Sequence, residues 1–315
     1  MFTGPTSRGS IWNRHCGIMP GVSGASAPCE PEGAGSRLSH SKAGDVVLVR
    51  ILTGLVGIPL FLGLLFIGQW PFLVVVAGMG LIGFYEYARI LRAIGFRPSL
   101  PLGCAATVAI VLAAGLLPPH GVHAQAVAAL ATLVILAWAI FRPEGFSALD
   151  GLLTLAGVAY VGLLSYLVLL RRLGGGSGWD LGLVWAGMAF LCTWAADTLA
   201  YFVGVTWGRH KLAPKISPQK SVEGLLGGVA GALLAGLLWG PAIPLARWQG
   251  ALLGVAIALV AAMGDLVESA LKRTAGVKDA GRLLPGHGGV LDRFDSSLFV
   301  LPFVYYVATL LFGAG

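Results

Sequence analysis

From Val46 onward the chain alternates long apolar stretches with short polar ones. Nine stretches are long enough to cross a hydrocarbon layer of about 30 Å as helices. They fall at about 47–68, 71–90, 99–117, 124–141, 149–170, 180–204, 223–241, 247–270 and 295–313. Gly and Pro recur inside them, as membrane helices tolerate. No repeat of fixed period appears. The pattern predicts an all-α, polytopic integral membrane protein with about nine transmembrane helices. Residues 1–44 differ: they are rich in Gly, Ser and Pro, mixed in charge, and without an apolar run. They read as a disordered cytoplasmic tail, or as residues ahead of the true start, and not as a signal peptide. The expected organisation is therefore this tail and one membrane domain over 45–315.

Composition agrees. Hydrophobic residues make up 57% of the 315 and charged residues 11%, against about 25% charged in ordinary soluble domains. That is too little charge to cover a soluble core, which excludes a soluble globular enzyme. Nine Trp suit a chain with two membrane interfaces. Trp70, Trp179, Trp239 and Trp248 all fall at one set of helix ends. The four cysteines, Cys16, Cys29, Cys104 and Cys192, form no CxxC and carry no redox argument.

The net charge is +7. Its placement predicts topology, or an anionic ligand, and no platform for nucleic acid. Arg89, Arg92 and Arg97 follow the second stretch. Arg209, Lys211, Lys215 and Lys220 follow the sixth, and Lys272, Arg273, Lys278, Arg282 and Arg293 follow the eighth. The N-terminus and these loops are thus expected in the cytoplasm and the C-terminus outside. Arg171 and Arg172 run against the rule, since this arrangement places them in an outer loop.

Charges inside membrane helices are costly, so they are the first candidates for chemistry. Asp197 and Asp265 lie in the sixth and eighth stretches, both towards the cytoplasmic end. Glu86 is matched by Arg89 one turn on and reads as an interfacial ion pair. Asp265, Glu268, Ser269 and Lys272 share one helix face. Such a face does not meet lipid; it is either a salt-bridged helix end or part of a site. The following loop contains Lys278, Asp279, Arg282, His287, Gly288, Gly289, Asp292, Arg293 and Asp295. Glycine backbone can approach phosphate oxygens closely, Lys and Arg neutralise them, and Asp among so many cations suggests a hard metal ion. In the other basic loop, a positive-inside segment accounts for the Lys and Arg. It does not account for Ser217-Pro-Gln-Lys220-Ser221 leading into Glu223-Gly224. There is no P-loop, no HExxH zinc motif and no CDP-alcohol phosphatidyltransferase pattern.

The run from Ser269 through Lys272-Arg273, Lys278-Asp279 and Pro285-Gly-His287-Gly288-Gly289 to Asp292-Arg293-Phe-Asp295 closely resembles the signature of phosphatidate cytidylyltransferases, also called CDP-diacylglycerol synthases. Asp197-…-Ala200-Tyr201, the Gly208–Lys220 loop and Arg50-Ile-Leu-Thr resemble the same family, over about residues 46–313. Ser221 and Val222 stand where relatives often have Thr and an aromatic.

The resemblance implies CTP and phosphatidate as substrates, joined to give CDP-diacylglycerol and pyrophosphate in phospholipid biosynthesis. The site would face the cytoplasm from the inner (plasma) membrane, surrounded by membrane lipids. The resemblance implies a divalent cation, Mg2+, held by Asp265 and Asp292 with Asp197 and Asp295 as second choices, and leaves a second cation open. Lys220, Lys272, Arg273 and Lys278 join the catalytic set. Ser217, Lys211, Lys215, Arg282, His287, Gly288, Gly289 and Arg293 join the substrate-binding set. A homodimer stays open. So do a cytidylyltransferase for another lipid phosphate and a transporter of an anionic lipid or phosphate compound.

Overall fold

The computed structural model describes residues 55–118, 122–141, 148–176, 178–243, 245–277, 279–281 and 288–313. Among these are ten helices and one β-hairpin. The helices are α1 (Leu55–Ile67), α2 (Gln69–Ala93), α3 (Leu100–Leu116), α4 (Val122–Phe141), α5 (Ala148–Gly162), α6 (Ser165–Arg172), α7 (Leu181–Trp207), α8 (Val222–Trp239), α9 (Arg247–Thr274) and α10 (Leu291–Tyr306). Strands β1 (Lys211–Ala213) and β2 (Ser217–Ser221) stand between α7 and α8. Residues 45–315 form one compact unit. The expected tail over 1–44 lies outside the described residues.

Among the described residues each predicted stretch falls on helix, the first only from Leu55 because 47–54 lie outside them, and one is broken. The stretch at 149–170 is α5 and α6, joined by a tighter turn in which the N–H of Leu163 donates to Tyr160 O and that of Leu164 to Val161 O. Six spans are long and apolar enough to cross a bilayer: 69–93, 148–172, 181–207, 222–242, 247–274 and 291–311. Leu55–Ile67, Leu100–Leu116 and Gln125–Phe141 are shorter apolar helices; the first starts where the described residues start, and the other two reach the lower end of crossing length, about 17 residues. The all-α membrane architecture thus stands with six full-length spans among the described residues. Trp70, Trp179 and Trp248 are largely exposed, as an interfacial belt requires. Trp239 instead turns inward, its indole N–H donating to Val184 O at 2.8 Å. Cys192 is buried filler in α7, and Cys104 is half-buried.

Packing follows residue size. Phe61 of α1 meets Phe72 of α2, Phe190 of α7 and Phe294 of α10, with ring centroids 5.4–6.4 Å apart. Where α8 and α9 cross, backbone meets backbone. A Cβ on Gly236 would strike the Gly250 carbonyl, and one on Gly254 would strike that of Ala232. Without a hydrophobic driving force between helices in lipid, such close backbone approach supplies the contact energy.

Arg171 and Arg172 are helical residues of α6, which corrects their expected place in an outer loop. Arg171 is 1% exposed. Its guanidinium donates to Leu65 O, Phe66 O and Gly178 O, and meets Asp180 Oδ1 at 2.6 Å. Arg172 donates to Ala114 O and Leu117 O at the end of α3. Both cations therefore satisfy carbonyls left over at helix C-termini. Their charge is used within the fold, so they do not contradict a positive-inside arrangement. Asp180 also caps α7, accepting from the Leu183 N–H at 2.9 Å and the Gly176 N–H at 2.8 Å. Burial pushes its carboxyl up, but the hydrogen bonds from Arg171, Leu183 and Gly176 outweigh this and hold it below the usual carboxylate range.

Arg171→Ala is expected to destabilise the fold by about 3–5 kcal/mol, since it leaves a carboxylate and several carbonyls unpaired. Thermal unfolding in detergent measures this. A depressed carboxyl stabilises above its unfolded value of about 3.9, and the contribution is lost as pH falls through the folded value. The gap in melting temperature between wild type and Asp180→Asn should therefore be full at neutral pH and shrink below about pH 4.

Candidate active site

The site is built where the ends of α7 and α9 meet the starts of α8 and α10. On α9, a run of Asp, Glu, Ser and Lys at helical spacing places Asp265, Glu268, Ser269 and Lys272 on one face, as the periodicity predicts. Ser269 Oγ donates to Asp265 Oδ1 at 3.3 Å. Lys272 Nζ lies 2.5 Å from Glu268 Oε2 and 2.8 Å from Asp292 Oδ1, tying α9 to α10. Glu268 is completely buried. Lys272 is its cationic partner among the described residues, and a carboxylate buried there without one would be prohibitively costly.

The basic segment after α7 is an antiparallel hairpin, with Lys211 opposite Ser221 and Ala213 opposite Ser217. Its polar residues have structural partners that their sequence did not disclose. Ser221 Oγ accepts from the Gly224 N–H at 3.1 Å, capping α8. The Glu223 carboxylate accepts from the Arg209 and His210 N–H groups and lies 2.5 Å from His210 Nδ1. The hairpin reaches α9 twice: Lys220 pairs with Asp265, and Arg273 Nε donates to Ile216 O at 3.3 Å. Lys211 and Lys215 are exposed, and Ser217 is half-buried.

Three further carboxylate carriers face this junction. Asp197 of α7 feels the charges of Asp265 and Lys220. Asp295 of α10 feels Asp265, Asp197 and Lys272, and its Oδ1 accepts from the Ser296 N–H at 2.6 Å. Asp292 is the most heavily engaged. Besides Lys272, it accepts from the N–H groups of Ala280, Gly281 and Gly289 at 2.8–3.3 Å.

Glu86 corrects the expected ion pair with Arg89. It is 2% exposed on α2, and its two oxygens accept from the Val290 and Leu291 N–H groups at 3.1 and 3.0 Å. Arg89 Nη2 instead donates to Ala280 O at 2.7 Å. Each of the two therefore binds the loop rather than the other. The glycines follow from the same contacts. A Cβ on Gly281 or Gly289 would run into the Glu86 carboxylate, and Gly288, at φ +83°, would meet Asp292. The Gly289 N–H, expected to face phosphate, is bonded to Asp292. Arg293 is exposed. Lys278, Arg282 and His287 lie outside the described residues. Beside the anchor, a cavity of about 310 Å³ between α2 and α3 is lined by Leu81, Ile82, Tyr85, Leu100 and Cys104 and touches Gly281.

Among the described residues, no three His, Cys, Asp or Glu side chains form a metal cluster. Magnesium needs none, since it is held by one or two carboxylates together with substrate phosphates and water. The donor chemistry fits such an ion: hard oxygens, with an ammonium now standing against each of the two carboxylates named as ligands, Lys220 on Asp265 and Lys272 on Asp292.

Glu86→Gln keeps the shape but replaces one acceptor by a donor that faces a backbone N–H. It should cost about 1–3 kcal/mol. It should also speed amide hydrogen exchange at Val290 and Leu291 while leaving α7 and α8 unchanged. Unaltered exchange there would remove Glu86 as the anchor.

The cytidylyltransferase family model matches residues 48–311. A phosphatidate cytidylyltransferase of Synechocystis sp. is 39% identical over 287 residues, covering 83% of this chain and 96% of that protein. One from Bacillus subtilis is 35% identical, covering 83% and 97%, and one from Staphylococcus aureus is 36% identical, covering 81% and 96%. On the strength of a match that runs through both basic segments and every described helix, the chain belongs to the cytidylyltransferase family.

Proposed function

We propose that this chain is a phosphatidate cytidylyltransferase. An oxygen of the phosphatidate phosphate attacks the α-phosphorus of CTP and a new P–O bond forms. The bond to the β-phosphate oxygen breaks, pyrophosphate leaves, and CDP-diacylglycerol remains. One observation carries this reading beside the family match: the hairpin and the glycine-rich loop, far apart in sequence, are tied to the same helix through Lys220–Asp265 and Lys272–Asp292. The relatives' shared name supports phosphatidate over another lipid phosphate. The apolar cavity beside Gly281 supports a substrate that arrives from the bilayer.

Both substrates are polyanions, and the nucleophile is already an anion, so the reaction needs no strong general base. It needs alignment and positive charge held in place beforehand. Lys211, Lys215, Lys220 and Arg273 bring charge from one side and Lys272 and Arg293 from the other, with Lys278, Arg282 and His287 joining them from the same loop. Ser217 supplies a hydroxyl on the hairpin. Gly288 and Gly289 keep the loop backbone close to the site. Asp265 and Asp292 would hold the divalent cation, with Asp197 and Asp295 beside them. When bound, Mg2+ would neutralise charge on the nucleotide phosphates and the departing pyrophosphate.

The topology belongs to the same reading. Nine crossings would put the N-terminus and the basic loops in the cytoplasm and the C-terminus outside, in the inner membrane. The internal pairing of Arg171 and Arg172 supports this by removing the one pair of charges that opposed it.

Asp265→Asn should lower turnover about 100- to 1000-fold, or roughly 3–4 kcal/mol of transition-state stabilisation, with the protein still folded. Pyrophosphate release from purified protein with CTP, Mg2+ and phosphatidate measures it, and near-normal activity would remove Asp265 from the site. Lys220→Ala frees Asp265 of its ammonium. It should raise KM for CTP and lower the magnesium concentration at half-maximal rate. A reporter fused after Gly315 should face outward and one inserted at Lys211 should face the cytoplasm; the same side for both would refute nine crossings.

A further inference from the structure

A second cavity, of about 390 Å³, lies where α2 starts and α3 and α6 end. Its volume is in the range of small-molecule sites, about 300–1,000 Å³. Trp70, Leu73, Leu116 and Val168 give it an apolar side, and Gln69 and Arg172 a polar one. Glu86, which holds the loop of the reaction centre, comes about 26 Å further along α2. The two regions are thus at opposite ends of the same helix. Trp70 and Trp179 are largely exposed at the cavity's end, which sets it at a membrane–water boundary.

The two arginines at this cavity differ in how their charge is met. Arg171 faces the Asp180 carboxylate at 2.6 Å. Arg172 has no carboxylate within ion-pair distance among the described residues. Its two hydrogen bonds both leave from one nitrogen, Nη1, to Ala114 O at 2.6 Å and Leu117 O at 2.7 Å. Carbonyls satisfy those N–H groups but cancel no charge. The Nε and Nη2 donors of Arg172 have no partner among the described residues. A half-buried guanidinium with an open fork, at the edge of hydrocarbon, is costly unless an anion meets it.

We propose that this cavity binds the phosphate of an anionic phospholipid in the leaflet opposite the reaction centre, with Arg172 Nε and Nη2 donating to its oxygens. Two parallel N–H groups match two phosphate oxygens. A lipid fits better than a free ion, because the apolar side formed by Trp70, Leu73 and Leu116 continues from the polar end and suits the first carbons of the chains. The headgroup should carry net negative charge. A zwitterionic one brings its own ammonium, and the carboxylate at hand, Asp180, is already engaged by Arg171. Bound there, the lipid would tie the end of α3 to α6 and to the start of α2. The inference goes beyond the reaction and does not depend on it.

Melting of the purified, delipidated full-length protein in neutral detergent tests this, with phosphatidylglycerol, phosphatidylcholine or inorganic phosphate titrated in. A ligand that binds only the folded state raises the melting temperature. Phosphatidylglycerol should raise it in the wild type, and the other two should not. Arg172→Gln removes the charge but keeps an amide donor. Its melting temperature without lipid is its own reference, and the phosphatidylglycerol concentration at half-maximal shift should rise about ten- to a hundredfold, the order of a lost charge-assisted contact. Leu116→Glu leaves Arg172 in place and sets a carboxylate at the cavity; it should suppress the shift as well, and it decides the matter if Arg172→Gln does not fold. A shift of the same size in wild type and variants would put the lipid elsewhere and overturn the proposal. An equal shift with phosphatidylcholine, an equal shift with inorganic phosphate, or no shift in the wild type would overturn it too.

Discussion

Carboxylates that hold backbone N–H groups are what the rest of this structure depends on. Glu86 on α2 and Asp292 on α10 take five amides between them in two short runs, Ala280 and Gly281, then Gly289, Val290 and Leu291. A glycine-rich loop has much conformational freedom to lose on folding. Two buried acceptors, each with several donors, offset that loss and give the loop one position. Glu86 also lies at the N-terminus of α10, where the helix favours negative charge. Without this double anchor, Lys272 would have no fixed partner across the site, and α9 and α10 would present their charges at random.

A second layer of order comes from pairing each cation with a carboxylate in a weakly polar medium. Lys220 with Asp265, and Lys272 with Glu268 and Asp292, set two ammonium groups against three carboxyls before any substrate arrives. In such surroundings an unpaired charge would shift its protonation or distort the fold. The substrates bring charges of both signs' worth of consequence: four or more phosphate negatives, and a cation to match. Residues already oriented by their mutual attraction need little rearrangement to receive them.

How far the sequence discloses this depends on the range of the interaction. Long apolar runs mark helices because a helix is local, and among the described residues every predicted stretch falls on helix. The break between α5 and α6 follows Gly162, but a lone Gly is common inside membrane helices, so the pattern reads through it. Asp265 was visible because charge inside an apolar run is conspicuous, and Lys220 because Ser-Pro-Gln-Lys-Ser is more than a positive-inside loop requires. Glu86 was equally conspicuous, yet was assigned to Arg89 because that cation is three residues away, whereas its true partners are about two hundred residues away and are backbone amides. Backbone donors carry no letter in a sequence. Arg171 was misread for the same reason, since most of its acceptors are carbonyls.

The bare contact between α8 and α9 has a mechanical consequence. Gly236, Gly250 and Gly254 bring two backbones together with no side-chain layer to deform. Side chains are the compliant part of a protein interior; a joint made of main chain alone is stiff. The hairpin leads directly into the N-terminus of α8, and Asp265 is carried by α9. The stiff joint therefore makes hairpin and helix a single strut, whose two charged ends keep their spacing as substrates come and go.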